Sequence, residues 1–599
     1  MWMWIALAAV QLVFLPGFLI VRALRLDGAN AIQTLTLCFG LSLLANHFLV
    51  VGLVLTGLYT RPALLVAMAL EGTVALVLLR SRTGADRGSL GDQVRDFLAE
   101  RPGRGSGALL VGAVATVGYL AAFFVPSATH AFRLWDSIVS WNRWALDWSH
   151  GTLPGWTMHY PQLLPSNWSL AYVLQGQDLQ FLPHGLMALF PVGIGLLLLD
   201  LGLRRREESF LLAAPVFAVL LGASLSRWIG SGHADLPVTF MGLLAVYPLL
   251  WGRLGDDPAS DRSRVTAAAL AVAGCALTKQ GGLYLAFVLP ILFWVSTAGA
   301  PRSARLRACA RMAAIAAVLI APWYVYVELQ VLGGHEGNEL ATTLTGAHAG
   351  RSPWERALAA PSHLGLPPLL LWVAALLTLV SSVRGEAVWP TRLIAVPLTL
   401  IWAFFFSYGP RNLAPALPFL AVSIAGGALV VRRALGGVAP LRPGPVRVAA
   451  ALAAAAVAFW SVVPDDARLA AIDREQRLGP GNRELNELLM RYQEERGFKG
   501  RVLTNYRHFW NLPGIGDRVF VDHDAPASEF WPYRTDAATF ARIAEDPANA
   551  IGYLLLTAPV PADISAYVLG RLETGAFKLV FDIPDARMVR IERRGASGR

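Results

Sequence analysis

The chain has 599 residues, 55% of them hydrophobic and only 15% charged, with a mean hydropathy of +0.48. Soluble globular chains carry about 25% charged residues, so this balance excludes a soluble protein and points to one embedded in a membrane. The net charge of +10 does not signal nucleic acid: residues 1–464 hold 32 Lys+Arg against 21 Asp+Glu, while residues 465–599 hold 19 against 20. The excess is thus confined to the membrane part, where cytoplasmic loops collect basic residues.

Taken in order, fourteen apolar stretches approach the roughly 20 residues a crossing needs: Trp4–Ala23, Ile32–Thr56, Pro62–Leu79, Ala108–Val125, Leu186–Leu203, Phe210–Leu225, Leu236–Trp251, Val265–Leu277, Leu283–Val295, Met312–Val327, Leu364–Val380, Leu393–Phe406, Leu413–Val431 and Val448–Val463. The N-terminus lacks the basic start of a signal peptide, so the first stretch is expected to be retained. Alternate loops carry 24 and 8 Lys+Arg. That asymmetry assigns the basic set to the cytoplasm and both termini to the outside. The pair within Val265–Val295 is the sensitive point, because one span there in place of two inverts everything downstream. Lysine is scarce, 3 residues in 599, a bias that with the high Ala and Gly content suggests a bacterial protein of the inner (plasma) membrane.

The expected architecture is an α-helical polytopic membrane protein of about fourteen helices with a small extracytoplasmic C-terminal α/β domain. Residues 1–106 form N-terminal transmembrane helices and a cytoplasmic loop, 107–464 the transmembrane catalytic part, and 465–599 the soluble domain. In the last, Arg483–Glu495 has an amphipathic helical pattern, Val502–Asn505 and Ile551–Thr557 read as strands, and Lys578–Phe581 with Met588–Ile591 as a hairpin. It has neither a nucleotide-binding glycine fingerprint nor an obvious catalytic motif, and is read as a cap or acceptor-docking domain.

Four outer loops carry the polar residues of interest. In Phe132–Trp148, Asp136, Ser140, Arg143 and Asp147 recur at helical spacing among Trp135, Trp141, Trp144 and Trp148, so they are expected on one face. An interfacial helix with an aromatic belt explains the tryptophans equally well. The stretch His159–Trp168, with Tyr160 between flanking prolines, reads as a shaped loop. His233 and Asp235 precede Pro237 at the mouth of a span, where Asp235 could cap the helix or act in a cavity. Lys279, in a glycine-flanked turn, is the only lysine before Lys499; it is either a snorkelling anchor or a phosphate ligand. Arg411 stands alone at another outer mouth, and a guanidinium suits bidentate phosphate recognition. Acids and phosphate-binding cations on one membrane face suggest a lipid-phosphate substrate and a hydroxyl to be deprotonated.

These residues resemble the GT-C superfamily of polyprenyl-phosphate-sugar-dependent glycosyltransferases, near the protein O-mannosyltransferases and the aminoarabinose transferase. Asp136 matches the Asp of the first large outer loop; Tyr160, Pro161 and Leu163 match a Tyr-Pro-x-Leu stretch. Asp235 matches an acid before a helix-starting proline, Lys279 a Leu-x-Lys turn, and Arg411 to Pro418 an Arg-x-Leu-x-Pro stretch. Ser137 departs from the pattern, since many relatives carry Glu after the Asp. The resemblance implies an inverting transfer from a polyprenyl-phosphate sugar donor to a lipid, glycan or protein acceptor. Asp136 is then general base, Lys279 and Arg411 hold the phosphate, and Asp235 and His233 orient sugar or acceptor, with Tyr160, Arg143 and Asp147 as further substrate contacts. A divalent cation is the one cofactor it allows, although the histidines lack tight ligand spacing and no metal site is expected. Other classes with many spans are a transporter or flippase of a lipid-linked glycan, a polymerase or ligase using a lipid-diphosphate donor, and a scaffold whose working part is the tail. Internal repeats, usual in transporters, are not evident.

Overall fold

In a computed structural model the chain is described over residues 2–435 and 482–592, except 27–29, 81–89, 101–103, 124–126, 128–130, 133, 135, 155–156, 158–159, 226–227, 252–257, 333–351, 385–387, 507, 510–511, 513–514 and 521–535. Among these residues eight helices are long and apolar enough to cross a membrane: Met3–Ala23, Ala31–Leu55, Arg61–Arg80, Phe181–Arg205, Glu208–Leu225, Arg302–Gln330, Val388–Phe406 and Pro410–Ala434. This is a multi-pass membrane protein. Over the described residues each of the first thirteen predicted stretches overlaps a helix, but the remaining five differ from a straight full-length span. Gly107–Ala121, Asp235–Leu250 and Gln280–Ser296 are short, and Pro368–Arg384 turns 112° from Pro353–His363. Pro258–Thr278 begins with the charged Asp261, Arg262 and Arg264. The fourteenth stretch lies outside the described residues.

The Val265–Val295 segment is two helices, Pro258–Thr278 and Leu283–Ser296, parted by an extended Lys279 (φ −156°, ψ 147°) and a short 3-10 turn. Gly282 makes that break: a Cβ there would stand 2.2 Å from the Cys275 carbonyl oxygen, so only glycine lets the two helix ends approach this closely.

Burial sorts the helices into centre and rim. The Asp235–Leu250 helix is buried from Asp235 through Leu249 and packs against Phe181–Arg205 and Pro258–Thr278. The rim helix Pro368–Arg384 exposes Leu369, Trp372, Leu376 and Leu379, apolar side chains suited to lipid. Two helices break the α-helical period. The polypeptide is π-helical over Ser137–Asn142 and again over Thr391–Ala395 and Trp402–Phe406. The first of these alters a sequence expectation. An extra residue per turn rotates Asp136 away from Arg143, so the predicted single face carrying Asp136, Ser140, Arg143 and Asp147 divides. Arg143 and Asp147, on the following α-helix Arg143–Ser149, pair with each other (Nη2–Oδ1 3.1 Å).

Toward the other end of the central helix, about 18 Å along twelve residues, Tyr247 donates to the buried Asp200. Asp200 also accepts from Asn30 and from Arg204 Nε at 3.0 Å, and Arg204 Nη2 reaches Gln33 Oε1 at 2.7 Å. This network ties three helices together.

The C-terminal domain is a four-stranded sheet of order β1-β2-β4-β3: β1 (Arg501–Thr504), β2 (Ile551–Thr557), β3 (Phe577–Ile583) and β4 (Ala586–Ile591). β1 and β2 are parallel, while β4 is antiparallel to both neighbours. Strand alternation sends Tyr553 and Leu555 to a core shared with Leu485 and Leu489, on the Arg483–Arg496 helix. Leu554 and Leu556 go to the other face, under Phe540, Ile564 and Val568. The predicted strands and hairpin coincide with this sheet; the helices Ala537–Glu545 and Ala562–Glu573 were not anticipated.

Candidate functional site

Five residues singled out from four separate loops meet in one cluster. Asp136 stands at the entry to the π-helical turn and directs Oδ2 to Arg411 Nη1 at 2.8 Å and to His233 Nε2 at 3.4 Å. Asp235 opens the central helix, and its Oδ1 holds Lys279 Nζ at 2.6 Å. The ammonium also lies 3.4 Å from Asn412 Oδ1, next in sequence to Arg411. The cluster is therefore two cation–carboxylate pairs side by side, Arg411–Asp136 and Lys279–Asp235, with His233 joining them.

Local sequence explains the placement. Pro410 follows an extended Gly409 and starts a 3-10 turn, Pro410–Ala416, which carries Arg411. The Arg411 guanidinium lies over the Trp228 ring, 5.0 Å from its centroid, a cation–π contact that fixes its plane. His233 sits on a loop that Gly232 lets pass close to Phe132. That glycine has φ +86°, and a Cβ on it would meet the Phe132 ring at 2.6 Å. Asp235 is the first residue of its helix, with Ala234 at the cap position, so it is not the cap the sequence allowed; its carboxylate is taken by Lys279.

Asp136 remains accessible, with its side chain 40% exposed, whereas the Asp235 side chain is 4% exposed. Partial burial would raise the Asp136 carboxyl, but the hydrogen bond from His233 and the Arg411 charge outweigh it and hold the group well below the usual carboxylate range. A paired, ionised carboxylate open to solvent can accept a proton once its cation is drawn elsewhere.

Around this centre lies an aromatic wall. Trp141 and Trp144 meet edge to face, centroids 5.3 Å apart, and the Tyr160 ring lies 5.4 and 6.0 Å from them. Tyr160 is within electrostatic reach of Arg411. Trp135 and His159 fall outside the described residues. Arg143 leaves Nε and Nη1 buried without a hydrogen-bond partner. Sequence reasoning noted Ser137 only as a departure from the family pattern and passed over Ser231, Trp228 and Asn412, all neighbours of residues it did select.

Both central carboxylates already face positive groups, and among the described residues no three His, Cys, Asp or Glu side chains gather as a ligand set.

No sequence profile of a known family matches the chain, and no curated protein matches it in sequence. Solved structures do. The apo structure of ArnT, the aminoarabinose transferase from Cupriavidus metallidurans, superposes with a TM-score of 0.50 at 14% identity, covering 81% of this chain and 97% of that one. The same protein bound to undecaprenyl phosphate gives a TM-score of 0.48 at the same identity and coverage. The Archaeoglobus fulgidus oligosaccharyltransferase in complex with Zn and sulfate gives 0.39 at 14% identity, covering 74% of this chain and 68% of that one. The superposition on apo ArnT, over nearly the whole of that protein, is a likeness of fold: the chain has the fold of the GT-C membrane glycosyltransferases.

Proposed function

We propose that the protein moves a sugar from a polyprenyl-phosphate-linked donor to a hydroxyl acceptor at the extracytoplasmic face, by single displacement with inversion at C1. The observation that carries this reading is the meeting of Asp136, His233, Asp235, Lys279 and Arg411 in one cluster. Transfer to a hydroxyl needs a base at the acceptor and positive charge at the departing phosphate, and this cluster has both.

In the reaction the acceptor oxygen forms a bond to C1 as its proton passes to Asp136, and the bond from C1 to the phosphate oxygen breaks. The polyprenyl phosphate leaves with one more negative charge, met by Arg411 and Lys279. Preorganised donors of this kind contribute about 3–4 kcal/mol each. The pairing gives the sequence of events an order. A donor phosphate that engages Arg411 draws its charge from Asp136, and the carboxylate regains basicity as the donor arrives. Tyr160 and the tryptophans form the wall against which a sugar ring packs, and the unpartnered Arg143 N–H groups suit its hydroxyls. The C-terminal domain caps the site or docks the acceptor.

The test is direct. Lipid extracted with the purified protein, identified by mass spectrometry, should contain a polyprenyl-phosphate sugar, and reconstituted protein should consume it when an acceptor hydroxyl is supplied. A lipid-diphosphate glycan in its place turns the assignment to a polymerase or ligase, and movement of an intact lipid-linked glycan without bond cleavage turns it to a flippase.

A further inference from the structure

His233 is buried, 4% exposed, and both ring nitrogens are engaged. Nδ1 lies 2.8 Å from Ser231 Oγ and 3.2 Å from Ser137 Oγ, while Nε2 faces Asp136. A serine hydroxyl has a single hydrogen to give, and a backbone carbonyl can only accept. Ser231 gives its hydrogen to the Trp228 carbonyl at 2.7 Å, and Ser137 gives its own to the Ser231 carbonyl. With the hydroxyl hydrogens so placed, both serine oxygens turn lone pairs toward Nδ1, and the ring then carries its hydrogen there. Asp136, when ionised, is also an acceptor only, so a bare Nε2 would set lone pair against carboxylate. Of the other charges near this pair, Arg411 keeps Asp136 ionised and Asp235 favours a proton on the ring. Arg411 lies across Asp136, and Asp235, itself held by Lys279, attracts the ring. The Trp228 ring closes the remaining side edge-on, 4.9 Å from the imidazole.

We propose, resting on the transferase reading above, that His233 is a positioning residue for the transfer. Ser137 and Ser231 fix Nδ1 as a protonated nitrogen, so that Nε2 shares a proton with Asp136 and aims its carboxylate at the acceptor hydroxyl. The shared proton leaves Asp136 ionised, an imidazolium beside a carboxylate, and the pair holds one proton. Transfer adds the acceptor's proton to Asp136, the pair then holds two, and it resets by losing one to solvent. Ser137, where the resembling family carries a second acid, is on this account part of the histidine's seat.

Nitrogen NMR of the full-length protein labelled with 15N-histidine in lipid nanodiscs tests the proton count without any activity. His233 is assigned by subtraction of the His233→Gln spectrum. The expected signal at neutral pH has Nδ1 protonated, and Ser137→Ala with Ser231→Ala should release the ring to the form with a bare Nδ1. A bare Nδ1 in the unmodified protein overturns the proposal. Transfer rates supply the second arm. His233→Gln, whose amide can still donate to Asp136, should be faster than His233→Phe by about ten- to a hundredfold, the value of one hydrogen bond to a charged group. Equal rates for the two variants also overturn it. Failure of the unmodified protein to transfer sugar overturns the transferase reading, near-normal transfer by Asp136→Asn overturns the base and its positioning together, and a bare Nδ1 overturns the positioning role alone.

Discussion

A carboxylate clamped by a guanidinium is a poor base until the clamp is loosened, and this governs what substitutions at Asp136 and Arg411 should do. Asp136→Asn keeps shape and removes basicity, so transfer should slow by about 10²–10⁴ while folded protein and donor binding persist. Asp147→Asn should be milder, because Asp147 pairs with Arg143 rather than with Arg411; the reverse order of effects would move the base to Asp147. With its acidity raised by its neighbours, Asp136 stays ionised below the ordinary value of 3.8. Its pairing therefore stabilises the fold above that pH, and the contribution is lost as pH falls through the lower folded value. In Arg411→Gln a cation that holds Asp136 ionised is gone. The acid limb of the residual transfer rate should then move to higher pH, and an unmoved limb would mean that Arg411 does not govern Asp136. At the second pair the burden is structural as well as chemical. Lys279→Ala strands the buried Asp235, a loss of about 3–5 kcal/mol when one partner of a buried pair is removed. Lys279→Ala with Asp235→Asn should recover most of the thermal stability yet remain defective in donor use.

Elements decide how these residues meet, and here the sequence was readable to different depths. Apolar runs located the helices because burial in lipid needs length and composition only, and short apolar strand-like runs in the tail located the four strands. The order and chemistry of Asp136, His233, Asp235, Lys279 and Arg411 were legible too, since lone polar groups at apolar mouths stand out. Their pairing was not. Arg411 and Asp136 are separated by 275 positions, and nothing local says which acid a cation will choose. Nor was the π-helical turn after Asp136 visible, because hydrophobic spacing was read with the α-helical period and the turn shifts it. The break at Lys279 is a feature the sequence did suggest, through its glycines. It can be tested on neighbours: Gly282→Ala drives a Cβ into the Cys275 carbonyl, whereas a Cβ on Gly281 meets nothing within 4 Å. Gly282→Ala should cost about 1–3 kcal/mol and weaken donor use by displacing Lys279, while Gly281→Ala should leave the melting temperature and the turn intact.

At the scale of the whole molecule, the loop charges and the site must agree about sides. The 24-to-8 division of Lys+Arg among alternate loops puts the loops bearing Asp136, Asp235, Lys279 and Arg411 on one face, and those four residues meet as two ion pairs linked through Asn412, beside Arg411. On the proposed orientation the Asp200–Arg204 network, near the far end of the central helix, is placed on the cytoplasmic side. Single cysteines read this arrangement in intact cells. Thr152, in the loop after Asp147, and Glu494, in the C-terminal domain, are exposed, as is Ser303, at the start of the Arg302–Leu332 helix. Of the native thiols Cys38 and Cys275 are buried and Cys309 is partly accessible, so Cys309→Ala is the background. Thr152→Cys and Glu494→Cys should react with an impermeant maleimide from outside, and Ser303→Cys only after the membrane is opened. Labelling of Ser303→Cys in intact cells, with Thr152→Cys silent, would invert the molecule. The cluster would then face the cytoplasm, where a transferase dependent on a donor presented at the outer face could not work.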